Sequence, residues 1–174
     1  IWRGSMPGIV SGLYTDRNMY YSSYLSTYVE RDVRDISGTV DALKFNRFIT
    51  AVAARTSQLL NYNALAEDAE IDIQTAKAWV NILETLGIIF LLHPYSNNVL
   101  KRTIKTPKVY FYDTGLVCYL TKWSSPEVAE SGAMSGALLE NFTVSEIMKG
   151  YQNAGLEPYL YFYRDRDAKE IDVI

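Results

Sequence analysis

The sequence is poor in the residues that form disulfides and metal centres. Its 174 residues include one cysteine, Cys118, and one histidine, His93. A single thiol excludes an internal disulfide and fits a reducing cytoplasm. A lone histidine without cysteine neighbours matches no zinc-binding spacing. It also gives no support for a Ser-His-Asp hydrolase, because no serine lies in a nucleophile-elbow glycine pattern.

Long apolar runs are also missing. The longest, at 88–92, has the length of a strand, whereas a helix that spans a bilayer needs about 20 apolar residues. We therefore expect no membrane partner. No Gly-x-x-x-x-Gly-Lys-Ser/Thr motif is present, which leaves no phosphate-cradling loop for ATP. The net charge is −3, from 17 basic and 20 acidic residues, and a value this small neither favours nor excludes a nucleic-acid partner.

Apolar residues make up 48% of the chain, enough for one or two small domains. The chain begins at Ile1 without an initiator methionine and stops at Ile174 inside an apolar strand pattern. We therefore expect it to be a fragment of a longer protein.

Helical periodicity dominates the first half of the chain. After a loop over 1–16, Asp16 is the predicted cap of an amphipathic helix with an apolar stripe within 20–29. Three shorter helices follow, with predicted caps at Asp41, Asn63 and Asp72. Gly87 then lies where a helix terminus favours a left-handed residue. These patterns predict a leading helix followed by a group of three.

Strand patterns come next, at 88–92, 99–106 and 108–112, with turn-forming residues between the first two. Asp113 is the predicted cap of a short helix that reaches Leu120. Three helices followed by strand, turn and strand is the chain order of a winged helix, whose second and third helices form a helix-turn-helix joined at 70–72. We predict a winged-helix domain over 41–122, after a linker and helix over 1–40.

Residues 123–132 are rich in serine, glycine, proline and glutamate, and we predict a domain boundary there. A helix over 135–150 and strands at 159–163 and 170–174 predict a truncated nuclease-like α/β domain over 133–174. The fold class predicted for the whole chain is α/β or α+β.

A helix-turn-helix reads the DNA major groove with polar side chains at the start of its second helix. Between 99 and 122, five basic residues stand against one acidic residue, a charge pattern typical of a phosphate-contacting wing. Asp72 would repel a phosphate if it faced the backbone of the DNA. The basic segment could instead be a solvated hairpin or dock on an acidic protein surface. The predicted nucleic-acid-binding residues are Gln74, Lys77, Lys101, Arg102, Lys105 and Lys108.

A second candidate site lies near the C-terminus. Nucleases of the PD-(D/E)xK type bind Mg²⁺ through an Asp near a strand end and a Glu on the next strand, and a lysine orients the attacking water. Some add a glutamate from the preceding helix. Glu140 and Asp172 fit two of these positions, and Glu170 would share a strand face with Asp172. No Glu-x-Lys follows Asp172, so we predict an incomplete catalytic site with no bound metal. The alternative is that these are ordinary solvated carboxylates.

Several longer motifs point to a family. They lie at 3–7 (RGSMP), 24–32 (YLSTYVERD), 53–61 (AARTSQLLN), 105–116 (KTPKVYFYDTGL), 139–142 (LENF) and 163–174. Together they resemble the C-terminal region of bacterial and archaeal AAA-type P-loop ATPases, which follows the ATPase module.

This resemblance implies an ATPase module as a partner, ATP and Mg²⁺ as cofactors of the longer protein, and a Glu-x-Lys strand after Ile174. No residue of this chain is assigned to ATP. Three functions remain open: a nucleic-acid-binding winged helix, part of an ATP-dependent nuclease, and a protein-interaction module in which the wing and the aromatic residues 110–112 dock on a partner. The resemblance leaves DNA or RNA preference, oligomeric state and physiological role open.

Overall fold

The N-terminal part of the chain consists of short helices. The computed structural model describes residues 1–29, 31–33, 41–95, 106–165 and 169–174. Helix α1 spans Pro7–Val10 and α2 spans Arg17–Tyr24. Asp16 caps α2 as predicted, because its carboxylate accepts a hydrogen bond from the Met19 N–H at 2.9 Å. The predicted single helix differs after Tyr24, where Leu25–Val29 winds as a π-helix.

Three helices form the next part: α3 (Ala42–Ala53), α4 (Tyr62–Ala69) and α5 (Ile73–Thr85). Asp41 and Asp72 cap α3 and α5 as predicted. The predicted cap of α4 at Asn63 is wrong: Asn61 is the cap, and its side-chain oxygen accepts from the Ala64 N–H at 3.1 Å. Glu70 takes a left-handed conformation with φ 55°, which makes the tight turn into α5.

The three helices pack around aromatic and branched side chains. The Trp79 ring meets the Phe45 and Phe48 rings edge-on, with centroids 5.3 Å apart in both pairs. Leu65 and Leu83 are fully buried beside them. Burial of such side chains removes apolar surface from water and contributes about 1.5–3 kcal/mol each. The apolar residues that recur with helical periodicity in α3, α4 and α5 therefore form one shared core.

A two-stranded antiparallel sheet follows, made of β1 (Ile89–Leu92) and β2 (Lys108–Phe111). Their register pairs Ile89 with Phe111 and Leu92 with Lys108. The partner of β1 is thus the third predicted strand segment. Most of the predicted second strand, 99–105, lies outside the described residues, and Thr106 is not in a strand. Gly87 has φ +64°, as its position before β1 predicts.

The outer edge of β2 is also paired. Residues 57–60 run along it, with the Ser57 N–H donating to the Val109 carbonyl and the Leu60 N–H donating to the Pro107 carbonyl, both at 2.8 Å. Helices α3 to α5 followed by β1 and β2 have the predicted chain order of a winged helix, and the fold combines helices with small sheets as an α+β protein.

The remaining elements follow β2 in the chain. They are α6 (Thr114–Leu120), α7 (Pro126–Ser131), α8 (Ser135–Asn153), β3 (Tyr163–Arg164) and β4 (Glu170–Ile171), the last two antiparallel. Helix α7 lies within 123–132, where the sequence predicts a domain boundary, and Ser125 caps it. The Phe162 N–H donates to the His93 carbonyl at 3.1 Å, which joins the C-terminal strands to the end of β1.

Both faces of the β1–β2 sheet are covered. Ile89, Val109 and Phe111 belong to the main core, which they share with helices α3 to α6. Alternate residues point the other way, where Phe90 and Tyr110 lie in a second cluster together with α8 and Phe162. Within the described residues, no helix combines the length and apolarity needed to cross a membrane.

Candidate functional site

The start of α5 presents polar side chains to solvent. Gln74 and Lys77 are exposed, whereas Ala76 and Val80 on the other side of the helix are buried in the core. The Lys77 ammonium lies 5.8 Å from the centroid of the Tyr62 ring on α4. Both predicted base-reading residues are therefore accessible on one face of a helix whose opposite face is fixed.

An open groove lies beside this face. Its walls come from the starts of α4 and α5 and include Tyr62, Asn63, Ile73 and Lys77, together with Thr106 just before β2. Thr106 directly follows the segment that contains the predicted contacts Lys101, Arg102 and Lys105, and these three residues lie outside the described residues. The basic segment therefore rejoins the described chain at the groove beside Lys77.

Three acidic side chains at the end of α4 and the start of α5 are engaged within the protein. Glu70 pairs with Arg47 at 2.5 Å and Asp68 pairs with Arg55 at 2.7 Å. The Asp72 carboxylate accepts from the Thr75 hydroxyl at 2.6 Å and from the Thr75 N–H at 2.9 Å. Both hydrogen bonds lower the pKa of Asp72, and the one from the Thr75 hydroxyl has the larger effect. Asp72 is therefore held as the cap of α5.

Lys108 differs from its predicted role as a phosphate contact. It is only 3% exposed. Its ammonium donates to Glu140 at 2.8 Å and to Asp172 at 3.1 Å, and it also forms an ion pair with Glu170. The reason is strand geometry, because Lys108 shares the α8-facing side of β2 with Tyr110. In this position the ammonium does not face solvent, so Lys108 is not among the residues that can contact phosphate.

The two predicted nuclease-like residues do meet at one point. Glu140 from α8 and Asp172 from the end of the chain both contact the Lys108 ammonium, as does Glu170, which shares the strand face predicted for it. The Tyr110 hydroxyl donates to the same Glu140 oxygen at 2.6 Å. This carboxylate cluster, defined as Glu140, Glu170 and Asp172, is thus built around a lysine.

Burial and charge set the protonation of the cluster's donors. Burial lowers the pKa of Lys108, but its hydrogen bonds with Glu140 and Glu170 outweigh this effect, so the pKa is raised overall. Burial raises the pKa of Tyr110, and its hydrogen bond to Glu140 adds to the increase. Both donors therefore keep their protons at neutral pH.

The Mg²⁺ that nucleases of the PD-(D/E)xK type bind does not fit this cluster. Its carboxylate oxygens point at an ammonium group, and the second oxygen of Glu170 lies 3.3 Å from the Arg164 guanidinium. The described part of the chain contains no group of three or more histidine, cysteine, aspartate or glutamate side chains arranged to hold a metal ion.

A buried amide that was not predicted from the sequence holds α8 in position. Asn141 is fully buried; its oxygen accepts from the Phe111 N–H at 2.8 Å and from the Thr56 hydroxyl. Its nitrogen donates to the Phe111 carbonyl at 2.8 Å. This pairing fixes the turn of α8 that carries Glu140. The signal for it in the sequence is slight, a polar residue on an otherwise apolar helix face.

A second buried polar centre ties the N-terminus to α6. Asp113 caps α6 as predicted, accepting from the Leu116 N–H at 2.7 Å. It also accepts from the Ser5 N–H and from the Tyr21 hydroxyl, both at 2.6 Å. Gly115 allows close approach, because a Cβ there would lie 2.5 Å from the Gly4 Cα. Two of the motifs that carry the family resemblance, at 3–7 and 105–116, thus meet at one carboxylate.

Comparisons with known proteins find domains and relatives whose function is unknown. A family model described as a domain of unknown function, DUF8612, matches residues 1–127, and a second domain of unknown function, DUF4143, matches residues 135–174. Two uncharacterized proteins, from Mycobacterium bovis and Mycobacterium tuberculosis, are each 27% identical over 176 residues. These matches cover 99% of this chain but 39% of each relative. No solved structure matches the chain.

Proposed function

We propose a function for this chain, which belongs to the DUF8612 family, a family whose function is unknown. We propose that it is a nucleic-acid-binding module without catalytic activity of its own, in which α5 enters the major groove. The observation that carries this proposal is the exposed start of α5, where Gln74 and Lys77 project from a helix that the core holds rigidly. Glutamine and lysine are side chains that can read base edges there.

Charge near α5 supports the same face. Thr106 lines the same groove as Lys77, and Lys101, Arg102 and Lys105 shortly precede Thr106 in the sequence. Glu70 and Asp68 are paired with arginines, which reduces their repulsion of a phosphate backbone. Lysine and arginine contacts to phosphates supply most of the sequence-independent affinity. The base-reading helix and the phosphate contacts would then bind one duplex together.

We further propose that the module serves a longer AAA-type ATPase. The family resemblance supports this, and the chain spans 39% of the length of the curated relatives it matches. ATP and Mg²⁺ would then be bound by another part of that protein, because this chain has no P-loop motif. The winged helix would hold nucleic acid for the ATPase.

Titration of a fluorescent DNA duplex at two salt concentrations tests the binding proposal. We expect a dissociation constant of about 10⁻⁴–10⁻⁶ M that weakens steeply with salt. Lys77→Ala should weaken binding and reduce the salt slope by about one, and a Lys101, Arg102 and Lys105 triple alanine variant by about three. Gln74→Ala should change the preference among sequences more than the salt slope.

Lys149→Ala is the matched control, since it removes the same charge from α8 rather than from the α5 face. It should leave the titration curve unchanged. Absence of binding at the lower salt concentration would remove the proposal. Capture of the ATPase module with no requirement for DNA, together with no DNA binding, would favour the alternative of a protein-interaction module.

A further inference from the structure

We propose that Lys108 is the resident cation of the carboxylate cluster: its ammonium takes the place that a divalent metal would need, and it latches the C-terminal strands to β2. The carboxylate cluster would then be a structural ionic centre instead of a metal-dependent catalytic site. This proposal does not depend on nucleic-acid binding, because Lys108 lies on the α8-facing side of β2 and not on the α5 face.

The contacts of the ammonium are complete. A lysine has three N–H donors and no acceptor. Lys108 directs them to three carboxylates, Glu140 at 2.8 Å, Asp172 at 3.1 Å, and Glu170. These partners come from α8 and from the C-terminal strand. One atom of β2 therefore joins two elements that are distant in sequence.

Two of the three carboxylates have a further partner besides the ammonium. The Glu140 oxygen accepts a second hydrogen bond from the Tyr110 hydroxyl. Glu170 uses its other oxygen to pair with Arg164 at 3.3 Å. A metal ion binding these oxygens would lie within a few ångströms of the ammonium, where like charges repel strongly in a buried site. Metal binding would therefore require Lys108 to leave.

Departure of Lys108 is opposed by its surroundings. The side chain is 4% exposed, and its ammonium lies 5.7 Å from the centroid of the Phe162 ring. Moving the ammonium away would leave Glu140 and Glu170, which are mostly covered, without their shared cation. Removing one partner of a buried ion pair is strongly unfavourable, because the remaining charge stays desolvated. Lys108 therefore remains the cation of this cluster.

The decisive experiment is Mn²⁺ titration of the wild-type chain, followed by the electron paramagnetic resonance of free Mn²⁺. We expect no saturable binding, and we expect the same melting temperature with Mg²⁺ as with EDTA. Stoichiometric Mn²⁺ binding that Asp172→Asn abolishes would overturn the proposal. Asp172 is suited to this test because its side chain is 56% exposed, so its substitution should preserve the fold.

Lys108→Met tests the latch directly, because methionine retains an apolar stem and removes the charge. We expect faster amide exchange in 161–164 and 170–174, slow exchange retained in α3 to α5, and a new Mn²⁺-dependent rise in melting temperature. Unchanged exchange in the C-terminal strands would contradict the latch. If this variant does not fold, the wild-type and Asp172→Asn titrations still decide the question.

Lys149→Met is the matched control. Lys149 pairs with Glu146 on α8 and donates to the Ser5 hydroxyl, and neither partner belongs to the carboxylate cluster, so the same substitution removes an ion pair outside that cluster. It should change neither the exchange of the C-terminal strands nor the response to Mn²⁺. A loosening equal to that of Lys108→Met would mean that general loss of charge, and not the latch, causes the effect.

Discussion

The two faces of the β1–β2 sheet are held by different kinds of contact. On one face, Ile89, Val109 and Phe111 enter an apolar core shared with helices α3 to α6. On the other side, buried polar groups bind α8 and the C-terminal strands to β2. The partners of Lys108 lie on the second face, and the Asn141 amide pairs with the Phe111 backbone at the outer edge of β2. A smaller apolar cluster surrounds these groups.

This difference separates stability from positioning. Apolar burial has no required direction and grows roughly with the area removed from water. A buried hydrogen bond or ion pair needs one particular partner, and losing that partner leaves a desolvated group behind. We infer that the helix-facing contact supplies most of the stability and that the polar contacts decide where α8 and the C-terminal strands dock.

The largest expected effect on stability comes from removing a side chain of the apolar core on the helix-facing side of the sheet. Phe48 is fully buried, and its ring meets Trp79 edge-on. Phe48→Ala should lower the free energy of unfolding by about 3–5 kcal/mol, because the core loses a ring and keeps part of the cavity. Urea denaturation measures the change. Leu43→Ala, at an exposed position on the same helix, should stay within about 0.5 kcal/mol.

A loss below about 1 kcal/mol for Phe48→Ala would contradict this ranking. It would mean that the helix core collapses around the missing ring or contributes little. The polar side would then be the main source of stability.

A smaller effect is expected from the α8-facing side. Asn141→Ala removes the partner of both the N–H and the carbonyl of Phe111 and of the Thr56 hydroxyl. We expect a loss of about 2–4 kcal/mol, from buried groups left without partners. Hydrogen exchange should quicken in α8 and stay slow in α3 to α5. Asn153→Ala, at the exposed end of α8, is the control and should change neither quantity.

Equal quickening of exchange in α3 to α5 after Asn141→Ala would contradict the division into two kinds of contact. The two faces would then open as one unit, and the Asn141 amide would be part of a single cooperative core.

The same division explains what the sequence could predict. Caps at Asp16, Asp41, Asp72 and Asp113 are predictable, because capping is a contact between residues two or three positions apart. The group of three helices followed by strands was predictable from apolar periodicity. The sequence predicts the cap of α4 two residues late. Asn61 and Asn63 have the same side chain, and only the backbone conformation distinguishes them.

The polar contacts across the sheet were less accessible. The sequence predicts Glu140 and Asp172 as site residues, and they do meet. It predicts their shared partner Lys108 as a nucleic-acid contact, because Lys108 lies in a basic segment. The lysine is 32 residues from Glu140 in the chain. Charge counting along a sequence does not say which side of a strand a lysine takes. That depends on the register of β1 with β2 and on the docking of α8.

The smallest expected effect concerns pH. Burial, together with Glu140, raises the pKa of Tyr110 above its ordinary value of about 10. The pKa of Lys108 is raised as well, since its hydrogen bonds to the carboxylates outweigh burial. For both groups the folded state favours the protonated form. Their contribution to stability is therefore complete below about pH 10 and is lost as the pH rises toward the folded-state pKa.

Tyr110→Phe separates these two groups. It should cost about 1 kcal/mol at neutral pH, because one hydrogen bond is lost while the ring still packs. Above about pH 10 the wild type should lose up to about 1.4 kcal/mol per pH unit more than the variant, the slope of one proton. Urea denaturation at a series of alkaline pH values measures both. Tyr163→Phe, at an exposed position, should follow the wild-type curve; if Tyr110→Phe followed it too, the alkaline loss would belong to groups other than Tyr110.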